Sequence, residues 1–268
     1  MIPYASWQAE RLAGLTAEAG WLNLTDRVAI APGPQRVGSD PDNDLVLSVG
    51  PAHLGVLAAT TTTATTPTAT TTTATTPTAT TPTASLTRNG QTHRFTTQGG
   101  NPVLRVADLL LELHSVGGEP ALRVRDLTLP RAITLPAYPF DPAWVIAAKW
   151  EALAAPQSQI IDQKGAGPTE VTLTHRARFS HAGHDITLLA THWKAGKPMF
   201  VIRDATSGSE TYPAGRFLIG EPDGDTITLD FNRAQNPPCA FTDFAICPLP
   251  PRENRMPFAI RAGERRLT

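Results

Sequence analysis

The sequence predicts a mainly β protein: an N-terminal helix, a β-sandwich, and then a second sandwich or barrel-like subdomain. Three observations carry that expectation. Short runs such as Ala121–Leu127 and Thr226–Asn232 alternate apolar and polar residues at the two-residue period of a strand. Turn signals separate them, Asn89-Gly90 being the strongest because both residues accept positive φ. Helical spacing is clearest only in residues 1–20.

In residues 1–20, Ser6 can cap a helix that ends on Gly20, with Trp7, Leu12, Leu15 and Ala19 as its apolar face. Trp21 and Leu24 then enter a first strand, and Pro32-Gly33 turns the chain. Residues 21–134 read as the first sandwich, interrupted at 59–84 by pentapeptides of Ala, Thr and Pro. That tract has no charge and no large apolar side chain, so burial cannot offset the entropy of ordering it, and it reads as an insertion in a loop. His93 and His114 stand alone on short strands and read as structural residues.

Residues 135–268 form the second subdomain. Leu135–Pro142 is proline-rich and reads as a crossing segment, while Ala143–Leu153 is a strand or a short helix. Val171–Phe179 and Asp185–Trp193 read as strands joined by a turn that sets His181 opposite His184. With no third ligand at recognisable spacing, that pair is read as a hairpin end, and no metal is expected. In Thr226–Asn232, Ile227, Leu229 and Phe231 share one face, and Thr228, Asp230 and Asn232 share the other. Prolines then hold Arg233–Phe241 extended, presenting Asn236 and Cys239, and Phe258–Arg265 closes with a strand and a turn.

Charge balance excludes a strong field for nucleic acid or an anionic membrane. No apolar run is long enough for a membrane-spanning helix, and the first residues lack a secretion-signal pattern, so a cytoplasmic location is expected. Cys239 and Cys247 are expected as free thiols in a reducing compartment, or as a disulfide in an exported chain.

Gln35–Leu57 resembles the core of a forkhead-associated domain, a β-sandwich whose loops bind phosphothreonine. His53 matches that motif, while Ser39 and Gly50 stand where the family carries arginine and serine. The resemblance implies a strand-turn-strand sandwich and, as one functional class, a protein-interaction module. A second resemblance rests on Trp21-Leu through Gly38-Ser39, Arg203-Asp-x-Thr-Ser-Gly, Thr211-Tyr-x-x-Gly-Arg-Phe-Leu, Leu229-Asp-Phe-Asn-Arg-Ala, Asn236-Pro-Pro-Cys-Ala-Phe, Cys247-Pro-Leu-Pro-Pro, Asn254-Arg and Ala262-Gly-Glu. These motifs are similar to an uncharacterised family, domain of unknown function 1684, along nearly all of the chain outside the threonine tract. That resemblance implies no activity and no catalytic residues.

Ligand-competent side chains are densest in the last third: Arg203, Asp204, Thr211, Tyr212, Arg216, Asp230, Asn232, Arg233, Asn236, Cys239, Asn254 and Arg255. Arginine forks suit carboxylate or phosphate, and the amides and carboxylates suit hydroxyls, so the leading expectation is a small anionic or polyhydroxylated ligand with no cofactor. The same residues can instead be ion pairs and turn caps that hold irregular β-structure together. An enzyme is the alternative class, with Cys239 as nucleophile or Asp204 or Asp230 as general base. No histidine lies near Cys239 in sequence, and no familiar catalytic motif accompanies it.

Overall fold

Alternating sequence becomes sheets in a computed structural model that describes residues 2–60, 83–97, 100–116 and 119–267. The chain divides into two compact units, residues 18–131 and residues 1–17 with 132–268. Among the described residues, no helix is long and apolar enough to cross a membrane.

In the first unit, strands β1 (Leu24–Ala29), β2 (Gly33–Gly38), β3 (Leu45–Val46), β4 (Gly55–Thr60), β5 (Thr83–Arg88), β6 (Gln91–Arg94), β7 (Val103–Val106), β8 (Leu109–Val116) and β9 (Glu119–Asp126) form two sheets. Their orders are β3-β2-β4-β5-β6 and β1-β9-β8-β7. Val37, Leu57 and Leu86 from one sheet and Leu111, Leu122 and Val124 from the other share a single apolar cluster, which makes the unit a sandwich. Asn89 and Gly90 both take positive φ between β5 and β6, as the two-residue hairpin requires. The tract between β4 and β5 falls on residues 61–82, outside the described residues.

Strand β9 departs from the half-buried alternation expected of it, because its outward-facing Arg123 and Arg125 are buried as well. Both guanidinium groups reach Glu112, at 3.4 and 2.6 Å. Arg125 also donates to the Gly20 carbonyl at 2.8 Å, and Arg123 lies over the Trp21 ring. An ion cluster thus takes the place of a solvated face, although Arg123 Nε is buried without a hydrogen-bond partner.

The second unit begins with helix α1 (Tyr4–Thr16). It starts one turn earlier than the Ser6 cap implies: Pro3 occupies the capping position and no side chain caps the helix. Leu15 is its fully buried residue, whereas Leu12 remains 38% exposed. The rest of the unit comprises β10 (Val145–Lys164), β11 (Ala166–His181), β12 (His184–Leu189), β13 (His192–Lys194), β14 (Lys197–Ile202), β15 (Arg216–Ile219), β16 (Glu221–Asp223), β17 (Thr226–Asp230) and β18 (Cys247–Pro248). Residues 143–153 therefore resolve as strand after a single 3-10 turn at Pro142–Trp144.

One sheet runs β12-β11-β10-β17-β16, with β18 pairing the far end of β10, and the other runs β13-β14-β15. Ala148, Ala177, Leu188, Ile227 and Leu229 from the larger sheet meet Phe200, Ile202 and Leu218 from the smaller. The closing segment after Pro257 contributes Ile260 and Ala262 to this cluster but forms no strand; Glu264 makes only an isolated bridge to Ala137. Scattered backbone hydrogen bonds, such as that from the Glu264 N–H to the Ala234 carbonyl at 2.8 Å, and side-chain bonds from Arg216 hold it in place without a ladder.

Candidate functional site

Strand β17 delivers Asp230 and stops there. The Asp230 carboxylate accepts the Asn232 N–H at 3.1 Å, capping a 3-10 turn over Phe231–Arg233. Asn232 therefore does not continue the polar face of β17. It turns inward, fully buried, accepts the Asp141 N–H at 3.0 Å and donates to the Asp141 carbonyl at 2.9 Å.

A second group of polar side chains is sealed. Arg216 and Asp204 pair at 2.9 Å with both side chains 1% exposed. The Asp204 carboxylate also accepts the Thr206 N–H at 2.8 Å, the Thr206 hydroxyl at 2.6 Å and the Ile260 N–H at 3.1 Å. Arg216 donates to the carbonyls of Ile260, Ala262 and Glu264, fastening the closing segment, and burial pushes its pKa down. Thr211 is buried with its hydroxyl against that of Thr206 at 2.9 Å.

Asn254 clamps the two sheets together: it accepts the Leu189 N–H at 2.7 Å and donates to the carbonyls of Leu189 and Val201, both at 3.0 Å. Asn236 donates to the Arg265 carbonyl at 2.8 Å, and its own N–H reaches Glu264 at 2.7 Å. Asn236 and Cys239 thus lie inside the proline-stiffened loop, buried, not on its outer surface. Arg203 and Arg255 are exposed and joined by a backbone bridge, and Arg255 donates to the Pro250 carbonyl.

Tyr212 is half-buried, donating to the Cys239 carbonyl at 2.6 Å and accepting from the Lys164 ammonium at 3.0 Å. Burial raises the phenol's pKa, and the bond to Tyr212 raises that of Lys164.

Of the polar residues singled out in the sequence, Asp230 and Arg233 line open space. Arg233 donates to Asp230 at 2.8 Å and to the Ile2 carbonyl, and its guanidinium lies over the Trp7 ring. These groups border a cleft of 660 Å³ completed by Ile2, Glu10, Lys197, Ile219, Glu221 and Gln235. Lys197 and Glu221, both in its lining, pair at 2.7 Å. Trp7 also borders a more apolar cleft of 290 Å³ that includes Leu12, Ile133 and Leu135 and an Arg11–Glu264 pair at 2.7 Å.

Sequence reasoning missed Trp7, Arg11, Lys197, Glu221 and Glu264. Glu264 alone carried a signal, standing in the Ala262-Gly-Glu motif; the others join the site through folding contacts distant in sequence.

Elsewhere, His53 Nδ1 lies 3.4 Å from the Asn43 side-chain oxygen, and Ser39 donates to the Gly50 carbonyl at 2.9 Å. His181 and His184 are cross-strand partners packed against Phe258. Among the described residues, no three His, Cys, Asp or Glu side chains group as a metal site.

Residues 133–265 match the family described as protein of unknown function (DUF1684), a narrower range than the motifs from Trp21 onward suggest. No curated protein matches the chain. An uncharacterized protein of Haloarcula marismortui, solved in solution by NMR, is 31% identical with a TM-score of 0.41; the match covers 49% of this chain and 75% of that one. Residues 133–265 are thus the part of the chain that is similar to the DUF1684 family of proteins of unknown function.

Proposed function

We propose that residues 132–268, with α1, bind a small polyhydroxylated ligand such as a saccharide or polyol in the cleft beside Trp7. The observation that carries this reading is that the Asp230–Arg233 pair borders a 660 Å³ cleft, whereas the Asp204–Arg216 pair is sealed. Small-molecule sites usually occupy about 300–1,000 Å³ and combine an apolar lining with a few convergent polar groups.

The chemistry of the lining supports one of the two ligand types expected from sequence. Glu10, Glu221 and Asp230 accept hydrogen bonds; Lys197 and Arg233 donate them, and Gln235 does both. Carboxylates outnumber cations, and both cations are already paired, so a free anion gains little here. A hydroxyl both donates and accepts, and it can insert beside an existing pair without adding charge. Trp7, Ile2 and Ile219 supply apolar surface for the carbon skeleton.

The test is calorimetric titration and thermal shift of the full chain with neutral mono- and disaccharides and linear polyols, alongside phosphate and citrate. A neutral polyol is expected to bind and raise Tm, and Arg233→Met and Trp7→Ala are expected to remove both effects while leaving a folded protein. Stabilisation by the anions alone, or polyol binding that survives both substitutions, contradicts the reading.

A further inference from the structure

The ligand cleft leaves one reactive group of the second unit unused, the pair Cys239 and Cys247. Cys239 sits in a 3-10 turn at Pro238–Ala240, and Cys247 lies on β18, where it is the cross-strand partner of Lys164. Both are free and buried, at 4% and 1% exposure. The Cys239 N–H donates to the Cys247 sulfur at 3.2 Å, which sets that sulfur against the Cys239 turn. Lys164 reaches over them to the Cys239 carbonyl at 3.1 Å, and its side chain is 40% exposed. The intervening Asp243 and Phe244 are exposed, so the pair lies at the base of a surface loop.

We propose that Cys239 and Cys247 form a peroxide-oxidisable dithiol, in which Cys239 is the attacking sulfur and Cys247 the resolving one. With the Cys247 sulfur 3.2 Å from the Cys239 N–H, the two side chains are near neighbours, as a disulfide between them requires. The environment divides the roles. The hydrogen bond from Cys247, reinforced by Tyr212 and Lys164, holds the Cys239 thiol below its ordinary range, and the same hydrogen bond together with burial pushes Cys247 up. These opposite directions assign the attack to Cys239 and the resolving step to Cys247.

The oxidant is a hydroperoxide. The Cys239 thiolate attacks one peroxide oxygen; the O–O bond breaks, leaving Cys239 as sulfenic acid and releasing an alkoxide or hydroxide that takes a proton from solvent. The Cys247 sulfur then attacks the Cys239 sulfur. The S–S bond forms as the S–O bond breaks, and the departing hydroxide takes the Cys247 proton and leaves as water. Two thiols are oxidised to a disulfide, and one hydroperoxide is reduced to an alcohol, or to water from hydrogen peroxide, plus water.

The experiment treats the folded full chain with hydrogen peroxide, then denatures and alkylates it before tryptic mass spectrometry. Both cysteines fall in the peptide from Ala234 to Arg252, which contains no internal Lys or Arg. Peroxide is expected to remove two hydrogens from that peptide and abolish its double alkylation, with both changes reversed by dithiothreitol. In Cys247→Ala, a dimedone adduct is expected on Cys239, whereas Cys239→Ala should leave Cys247 unoxidised. Should either variant fail to fold, the wild-type pH profile replaces it, with oxidation faster below the ordinary thiol pKa than in a denatured control. Retention of both thiols in the folded wild type, disulfides only between chains, or first oxidation at Cys247 overturns the proposal.

Discussion

Two Arg–Asp pairs of nearly equal length lie in the same unit and have opposite surroundings. Arg216 and Asp204 meet at 2.9 Å, and each side chain is 1% exposed. Arg233 and Asp230 meet at 2.8 Å, but beside a cleft, with the Arg233 side chain 15% exposed. The first carboxylate satisfies two backbone N–H groups and a hydroxyl, and the first guanidinium satisfies three carbonyls. The second guanidinium touches one carbonyl and an aromatic ring. An ion pair sealed among backbone groups organises loops, whereas one at a cleft wall retains bonding capacity for a ligand.

The largest effect should come from breaking the sealed pair. Arg216→Met leaves Asp204 buried without its cation and strands three carbonyls, so urea denaturation is expected to show a loss of about 3–5 kcal/mol. Replacing both partners, as Asp204→Leu with Arg216→Met, should recover part of that loss. A double variant no better than the single one would mean that the carbonyl contacts of Arg216, not its charge, dominate.

Asn254→Ala comes next. It removes three hydrogen bonds that bridge β12 and β14, with an expected cost of about 1–3 kcal/mol for a buried group left unsatisfied. Amide exchange at Leu189 should accelerate with it, and unchanged exchange there would show that water replaces the side chain.

Arg233→Met is expected to cost about 1–3 kcal/mol, less than Arg216→Met because it strands one carbonyl and not three, although the Asp230 side chain, 5% exposed, loses its cation. Its larger consequence should be lost ligand binding. A cost comparable to that of Arg216→Met would erase the distinction between the pairs.

The gentlest probe is pH, which extends the comparison to the sealed cluster of the first unit. Burial, reinforced by the neighbouring Arg123, lowers the His114 pKa to about 4 from 6.5. Between those values the unfolded chain holds more protons than the folded one, so stability should decline as pH falls from about 6.5 towards 4. His114→Phe should flatten that slope, and an unchanged slope would assign it to other groups.

How legible these features were in the sequence depended on whether their cause is local. Asn89-Gly90 announced its hairpin because the requirement for positive φ belongs to those residues alone. The polar density of the last third was visible too, but its division into sealed and open groups was not. That division depends on Ile260, Glu264 and α1 returning from far along the chain. Asn232 shows the limit at short range: strand alternation placed it on an open face with Asp230, yet the Asp230 carboxylate accepts both its N–H and its side-chain amide, caps the following turn and holds it inward. Trp7 read as part of a helix face, and only folding placed it under Arg233.

The central claim is that the open pair serves a ligand. Its most direct test is a proton–nitrogen correlation spectrum of the labelled full chain during titration with the polyol that binds best. The account predicts saturable shifts at the Trp7 indole, the Gln235 side-chain amide and the Arg233 Nε, with the Arg216 Nε unmoved. Shifts confined to residues away from the cleft, or none at any concentration tried, would contradict it.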